Sequence, residues 1–380
     1  MIIMVNVMRK VKKRKLSVKK ILRLVIPLIL ILIIFFERTN IINFYQSKKT
    51  GYPFETIKVL HELNIYDDIK KHPYSNTLDK IVDTKYYNKK YLKEYLDIEY
   101  HDNKSFLSDI NNLLILGYDS DDINAIYNKL SPESIKVLEE NDYLKDIINI
   151  LKLNYFHEEK LERYIKYSKD KEIEYEDIIT LVNAELDHDY YTNVINIEKP
   201  EEITVLVNKY HKLDNDYVPS DLESITPKYN RGNNNMMRHE ARVNFEEMCE
   251  AALNEGIHIY SGSAYRSYSY QLNLYNRYVS NNGFANAETF SARAGYSEHQ
   301  TGLATDILNG NIDYISSSDK EYEWLINNSY KYGFILRYPK DKENITGYMY
   351  EEWHFRYFGK DIAEDLHKTG ITYEEYVARK

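Results

Sequence analysis

His299 and Asp306, an imidazole and a carboxylate seven positions apart with Gly302 between them, supply two of the ligands a metal site needs. Gly302 lets the backbone turn where a side chain would obstruct it. Leu303, Thr305 and Ile307 then alternate with Ala304 and Asp306 as in a short strand, so the two ligands can converge from either side of one turn. A second imidazole, His354, lies in the stretch 351–357. Two histidines and one carboxylate leave a fourth zinc position for water, as catalytic sites require. Two carboxylates that could take a proton from that water, Glu351 and Glu352, stand just ahead of His354. On an uninterrupted strand Glu352 shares a face with His354 and Glu351 points away.

Mixed α and β structure is expected around these residues from Pro200 onward. Residues 236–255 have helical periodicity, with Val243, Phe245, Met248, Ala251, Ala252 and Leu253 available for a buried face and Gly256 as the stop. Residues 257–263 alternate as a strand that feeds a turn at Tyr265 and Arg266, which makes His258 a strand residue rather than a ligand. Helices are expected over 269–279, with Leu272, Tyr275 and Tyr278 on one side, over 321–331, and over 360–367 and 372–378 as closing elements.

Several short motifs run in a fixed order through this half of the chain. They are Leu206-Val207-Asn208-Lys209 with Tyr217-Val218-Pro219, Ser263-Ala264-Tyr265-Arg266-Ser267 followed by Gln271, the block 297–306, Gly333 to Pro339, Thr346-Gly347-Tyr348, and 351–357. In these motifs the chain resembles the VanY-type D,D-carboxypeptidases and their L,D-carboxypeptidase relatives, zinc peptidases that trim bacterial cell-wall peptides. The resemblance implies an α+β domain over 201–380, helices packed on an antiparallel sheet, with zinc held by His299, Asp306 and His354. It makes Glu351 the general base, three residues before the ligand histidine. That placement needs the chain to turn or bulge at Glu352, where the family usually has proline. Arg266 takes the role of oxyanion stabiliser, consistent with a guanidinium that stays charged and forks two donors at one anionic group. Gln271 and Ser297 match positions that contact substrate. The implied reaction removes the C-terminal D-alanine from peptidoglycan stem peptides. L,D-cleavage, cutting inside the stem, and an inactive wall-binding module are the alternatives. Ala264 and Ala294 also depart from the usual family residues, and none of the departures removes a ligand.

The N-terminal end reads differently. Residues 1–23 carry nine Lys or Arg and no acid, and an apolar run follows over 24–36, or 21–36 if Arg23 snorkels. This run is short for a span of ~20 residues. No small-x-small cleavage site follows it at Glu37-Arg38-Thr39-Asn40. A basic cytoplasmic tail over 1–20 and an uncleaved transmembrane anchor over 21–36 are therefore expected, with everything beyond exported to the wall side of the cell membrane. The apolar residues 1–7 ahead of the basic cluster make Met8 a candidate start. The chain's net charge is −9, so with the nine basic residues set aside the remainder carries −18. An acidic remainder with no basic stripe argues against nucleic acid as a partner. The single cysteine, Cys249, rules out an intramolecular disulfide.

Residues 37–200 are expected to be all-α. The segment 106–118 aligns with 143–155 at an offset of 37, with seven of thirteen pairs identical, which suggests an internal repeat of helix-turn-helix units. A passive spacer or an interaction arm are the two readings of this region. Asp187-His188-Asp189 could tempt a metal assignment, but three adjacent residues do not readily point at one ion, so a solvated linker is expected there.

Overall fold

The computed structural model describes residues 18–170, 173–233 and 235–380. Contacts divide the chain into two compact units, Met1–Tyr143 and Leu144–Lys380. The basic tail up to residue 17 lies outside the described residues.

Within the first unit the helix Val18–Thr50 runs through the expected anchor and carries Pro27 in its interior. Among the described residues no single helix is long and apolar enough to cross a membrane. Val25–Phe35 and Glu37–Thr50 pass that length and composition test only together, bent by 55° at a break. The expected single span over 21–36 is thus too short by itself, because Glu37 and Arg38 end the apolar run. Short helices follow, from Phe54–Glu62 to Pro132–Glu139. Phe106, Ile110 and Leu113 recur at helical spacing on the helix Phe106–Leu116 and are fully buried, and Gly117 closes it in the left-handed conformation.

The second copy of the aligned segment folds as the helix Lys145–Leu151, in the other unit. The second unit therefore begins ahead of the pattern change at Pro200, with the helices Lys145–Leu151, Leu161–Ser168 and Tyr175–Asn183. Asn183 shows why. Its Nδ2 donates to the carbonyls of both Tyr155 and Ala378 at 2.9 Å, which ties this helical segment to the C-terminal helix Tyr373–Ala378. Asp187 is not a solvated linker residue, since it pairs with Arg163, whose Nε lies 3.0 Å from Oδ2.

A four-stranded antiparallel sheet forms the centre of this unit. Its strands lie in the order Tyr260–Ser263, Ala304–Leu308, His354–Tyr357, Phe334–Leu336. All five residues of Ala304–Leu308 are buried, so both faces of this strand are covered. Phe245, Met248, Leu303, Ile307, Phe334 and Phe355 join the core between the sheet and the helix His239–Asn254. Two small pairs lie outside the sheet: Ile195–Asn196 runs parallel to His211–Lys212, and Leu222–Ser224 antiparallel to Met236–Arg238.

Local differences from the sequence reading have identifiable causes. Residues 236–238 are a strand, not the start of a helix, because pairing with Leu222–Ser224 overrides their helical propensity. The helix Tyr268–Asn282 buries Gln271, Leu274 and Tyr275, whereas Leu272 is exposed, so the buried face is rotated from the expected one. The strand expected over 257–263 is confined to Tyr260–Ser263, and the helix expected over 321–331 divides into Lys320–Asn328 and a 3₁₀ turn, Ser329–Tyr332.

Candidate active site

Strand register brings the first two ligands together. Asp306 and His354 are directly opposed on antiparallel neighbours, so both side chains leave the same face of the sheet. Ser263 stands opposite Asp306 on the other side, and the chain leaves that strand to deliver Arg266. His299 comes from the 3₁₀ turn Glu298–Thr301, which Gly302 ends with φ of +67°. The left-handed backbone is what calls for glycine here, since a Cβ would meet only the movable end of Leu222, at 2.8 Å from Cδ2, and the Arg238 stem.

His299, Asp306 and His354 are all buried, and one ligand atom from each lies within 4.8 Å of the other two. His299 Nε2 is 3.4 Å and His354 Nδ1 3.2 Å from Asp306 Oδ1. Donors bonded to one tetrahedral ion at ~2.0–2.1 Å stand ~3.3 Å apart, so the donor set fits zinc in spacing and in type. Hydrogen bonds fix both rings. His299 Nδ1 lies 2.7 Å from the Ala264 carbonyl, which can only accept, so this nitrogen carries the proton and Nε2 is left free for a metal. His354 Nε2 lies 3.3 Å from Glu298 Oε2, leaving Nδ1 toward Asp306.

Electrostatics separate the three groups. Burial and the nearby Arg266 guanidinium lower the His299 pKa to about 4. Burial opposes ionisation of Asp306, but His299 and Arg266 hold its carboxyl well below the usual carboxylate range. Burial likewise opposes charge on His354, yet its hydrogen bonds to Asp306 and Glu298 raise it to about 9 in the ion-free protein.

Glu351 completes the cluster. Its Oε2 is 3.7 Å from His354 Nδ1, and burial pushes its carboxyl up to about 8 against the pull of His354. Glu352 turns away and accepts from the Ser317 amide at 2.8 Å. The strand begins only at His354, with residues 352 and 353 in a turn, so alternation does not extend back to the two glutamates. The strand-face expectation that favoured Glu352 is thereby corrected.

The remaining residues named from the sequence line the same cleft. Arg266 donates from Nη2 to Asp306 Oδ2 and from Nε to Ser263 Oγ at 2.9 Å. It therefore braces a candidate ligand as well as facing the cleft. Gln271 donates to the Ala292 carbonyl at 2.8 Å, and its buried Oε1 has no partner among the described residues. Ser297 is buried in the wall. Tyr314, Tyr348 and Trp353 also line the cleft. Tyr348 and Trp353 stood within two of the motifs, and no local signal distinguished any of these three from core aromatics. His258 lies outside this set of lining residues.

A buried two-histidine, one-aspartate cluster with a carboxyl group poised beside it is the arrangement that metal-assisted hydrolysis requires. Residues 234–360 match the family model for VanY, D-alanyl-D-alanine carboxypeptidase. YodJ of Bacillus subtilis, which carries a carboxypeptidase name, is 41% identical over 47% of this chain and 68% of its own length. A D-alanyl-D-alanine carboxypeptidase of Enterococcus faecalis is 35% identical over 47% of this chain and 67% of its length. Among solved structures, the LdcB LD-carboxypeptidase shares 38% identity over 50% of this chain and 92% of that one, with a TM-score of 0.46. A vancomycin-resistance VanY D,D-pentapeptidase in complex with Zn(II) shares 33% over 46% and 98%, with a TM-score of 0.41. The chain belongs to the VanY family of carboxypeptidases.

Proposed function

We propose that the protein is a zinc-dependent D,D-carboxypeptidase that removes the terminal D-alanine from peptidoglycan stem peptides. The observation that carries this reading is the convergence of His299, Asp306 and His354 on one point, with the buried carboxyl of Glu351 beside them. The D-alanyl-D-alanine carboxypeptidase name of the family and of the Enterococcus faecalis relative supports the substrate.

Zinc held by the three ligands would supply a water of pKa ~7 and polarise the scissile carbonyl. The chain's own groups do the rest. Glu351 takes the proton of the attacking water and passes it to the nitrogen of the departing D-alanine, a task that its place beside the three proposed ligands allows. Arg266, fixed by Asp306 and Ser263, presents its guanidinium to the negative charge that develops on the carbonyl oxygen. The unpartnered Oε1 of Gln271 accepts a substrate N–H, and Ser297 shapes the wall beside it. Tyr314 and Trp353, with ring centres 5.9 Å apart, help keep bulk water from the reacting atoms.

The apolar stretch Val25–Phe35, with its side chains exposed, supports anchoring to the cell membrane, and the nine basic residues over 1–23 support placing the enzyme on the wall side. Protease added to intact spheroplasts should release the catalytic domain, and a protected full-length chain would reject that topology.

Mass spectrometry of muropeptides incubated with the protein tests the activity. A pentapeptide shortened by one alanine, with the reaction stopped by a chelator and restored by zinc, is the expected result. Loss of alanine from the tetrapeptide alone would replace D,D with L,D specificity. No cleavage by the zinc-loaded protein would reject the reading.

A further inference from the structure

Behind His354, on the side away from Asp306, lies a set of four fully buried charges. Glu298 Oε2 meets His354 Nε2 at 3.3 Å. Its other oxygen, Oε1, accepts from Arg337 Nε at 2.8 Å and from Arg356 Nη1 at 3.0 Å. Arg337 in turn forks onto Glu374, with Nη1 and Nη2 at 2.8 and 2.6 Å from the two carboxylate oxygens. Arg356 spends Nη2 on the carbonyls of Ile203 and Val205, both at 3.1 Å. The side chains of Glu298, Arg337, Arg356 and Glu374 are at most 1% exposed.

A buried charge set of this kind is costly to desolvate, and well-packed apolar residues of the same volume often replace one without loss of stability. Two glutamates and two arginines cancel in charge, so the set adds no net charge behind the metal centre. What it provides is direction. Glu298 is held from behind by two guanidinium groups and can only accept, so His354 must carry its proton on Nε2. Arg337 also donates its backbone N–H to the His354 carbonyl at 3.0 Å, fixing the strand that bears the ring.

We propose that Glu298 is the positioning residue of the metal centre: it locks His354 in the Nε2-protonated tautomer, so that His354 binds metal through Nδ1 while His299 binds through Nε2. Arg337 and Glu374 carry the same constraint to the C-terminal helix Tyr373–Ala378. The inference rests on the zinc reading above and goes beyond it. It concerns which nitrogen is used and what dictates the choice.

The test uses the full chain, stripped of metal and reloaded with spin-active cadmium, with isotope-labelled histidine and His354→Ala to assign the signals. Cadmium–nitrogen couplings are expected to Nδ1 of His354 and Nε2 of His299, with a slowly exchanging proton on His354 Nε2. Glu298→Gln cannot offer acceptor oxygens to both arginines and the histidine at once. It should bind zinc 10- to 100-fold more weakly in chelator competition, the usual cost of losing such an outer partner, with an unchanged circular dichroism spectrum. Coupling to His354 Nε2 in the wild-type protein, or wild-type zinc affinity in Glu298→Gln, would overturn the proposal. If Glu298→Gln does not fold, the wild-type couplings alone decide. Hydrolysis with metal bound through the other nitrogen would sink this inference and leave the carboxypeptidase reading standing, whereas failure of the wild-type chain to bind any metal would remove both.

Discussion

Asp306 and His354 face each other across one antiparallel register, with Oδ1 and Nδ1 3.2 Å apart. Asp306 is also the partner of Arg266, so one carboxylate serves as proposed ligand and as anchor for the guanidinium. Asp306→Asn is therefore expected to lose both functions. Zinc content measured by elemental mass spectrometry should fall from one ion per chain toward none, and peptide cleavage should vanish with it. Full zinc retention in this variant would place the metal elsewhere.

Glu351 is not one of the three proposed ligands. Glu351→Gln should keep zinc and lose about 10²- to 10⁴-fold in turnover, the usual cost of removing a positioned general base. Glu352→Ala gives up only an exposed bond to the Ser317 amide and should stay near wild-type activity. Paired zinc and peptide assays check both variants, and the reverse pattern of activities would assign the base to Glu352.

Lys209 gives a pH signature outside the metal centre. It is buried, donates to the Glu288 carbonyl at 2.7 Å and lies over the rings of Tyr190 and Tyr348 at 4.4 and 4.7 Å. Burial lowers its pKa to about 8, with Glu288 pulling the other way. A lysine lowered in the folded state binds fewer protons there than in the unfolded chain, so the folded protein gains stability as pH rises through the interval from about 8 to the ordinary lysine value. Below that interval the charged form disfavours folding. Lys209→Met should remove this dependence, which makes the wild-type chain gain on the variant between pH 8 and 10.5 in urea melts. Parallel curves for the two proteins over that range would show that Lys209 does not titrate there.

Much of this site could be read from the sequence because its proposed ligands sit in short motifs. His299, Gly302 and Asp306 occupy one turn and one strand, and the His354 motif lies on the neighbouring strand, so local spacing carries most of the information. The choice between Glu351 and Glu352 was not legible from alternation, because the strand starts at His354 and the turn before it resets the faces. Glu298 lay in plain view inside the block 297–306. Its partners Arg337, Arg356 and Glu374 are separated from it by 39 to 76 positions, and no periodicity links residues that meet only through the tertiary fold. The helical region misled in a similar way. Similarity at an offset of 37 marks two segments as alike, but it cannot tell which neighbour each one packs against.

That packing sets the last prediction, which concerns where the catalytic unit begins. The change of pattern at Pro200 suggests that a chain starting at Glu201 is complete, whereas the contacts group Leu144–Lys380 together. Several bonds cross the proposed cut, among them the parallel pairing of Ile195–Asn196 with His211–Lys212. Asn183 Nδ2 reaches the Ala378 carbonyl at 2.9 Å, and Asn344 Nδ2 reaches Asp177 Oδ2 at the same distance. Ala184, Leu186 and Tyr210 share a small apolar cluster with Ala378 on the C-terminal helix, and that helix carries Glu374, the partner of Arg337. Removing 144–200 would expose this cluster and loosen the helix, while the four-stranded sheet and the proposed metal ligands stay within the remaining chain. A protein starting at Leu144 should therefore match the full chain in activity and in thermal midpoint. One starting at Glu201 should still fold but melt several degrees lower, since losing ~1–2 kcal/mol shifts a domain of this size by roughly 2–8 °C. Calorimetry of the two truncations, both loaded with zinc, makes the comparison. Equal midpoints would mean that the 144–200 segment is a spacer and that the boundary lies at Pro200.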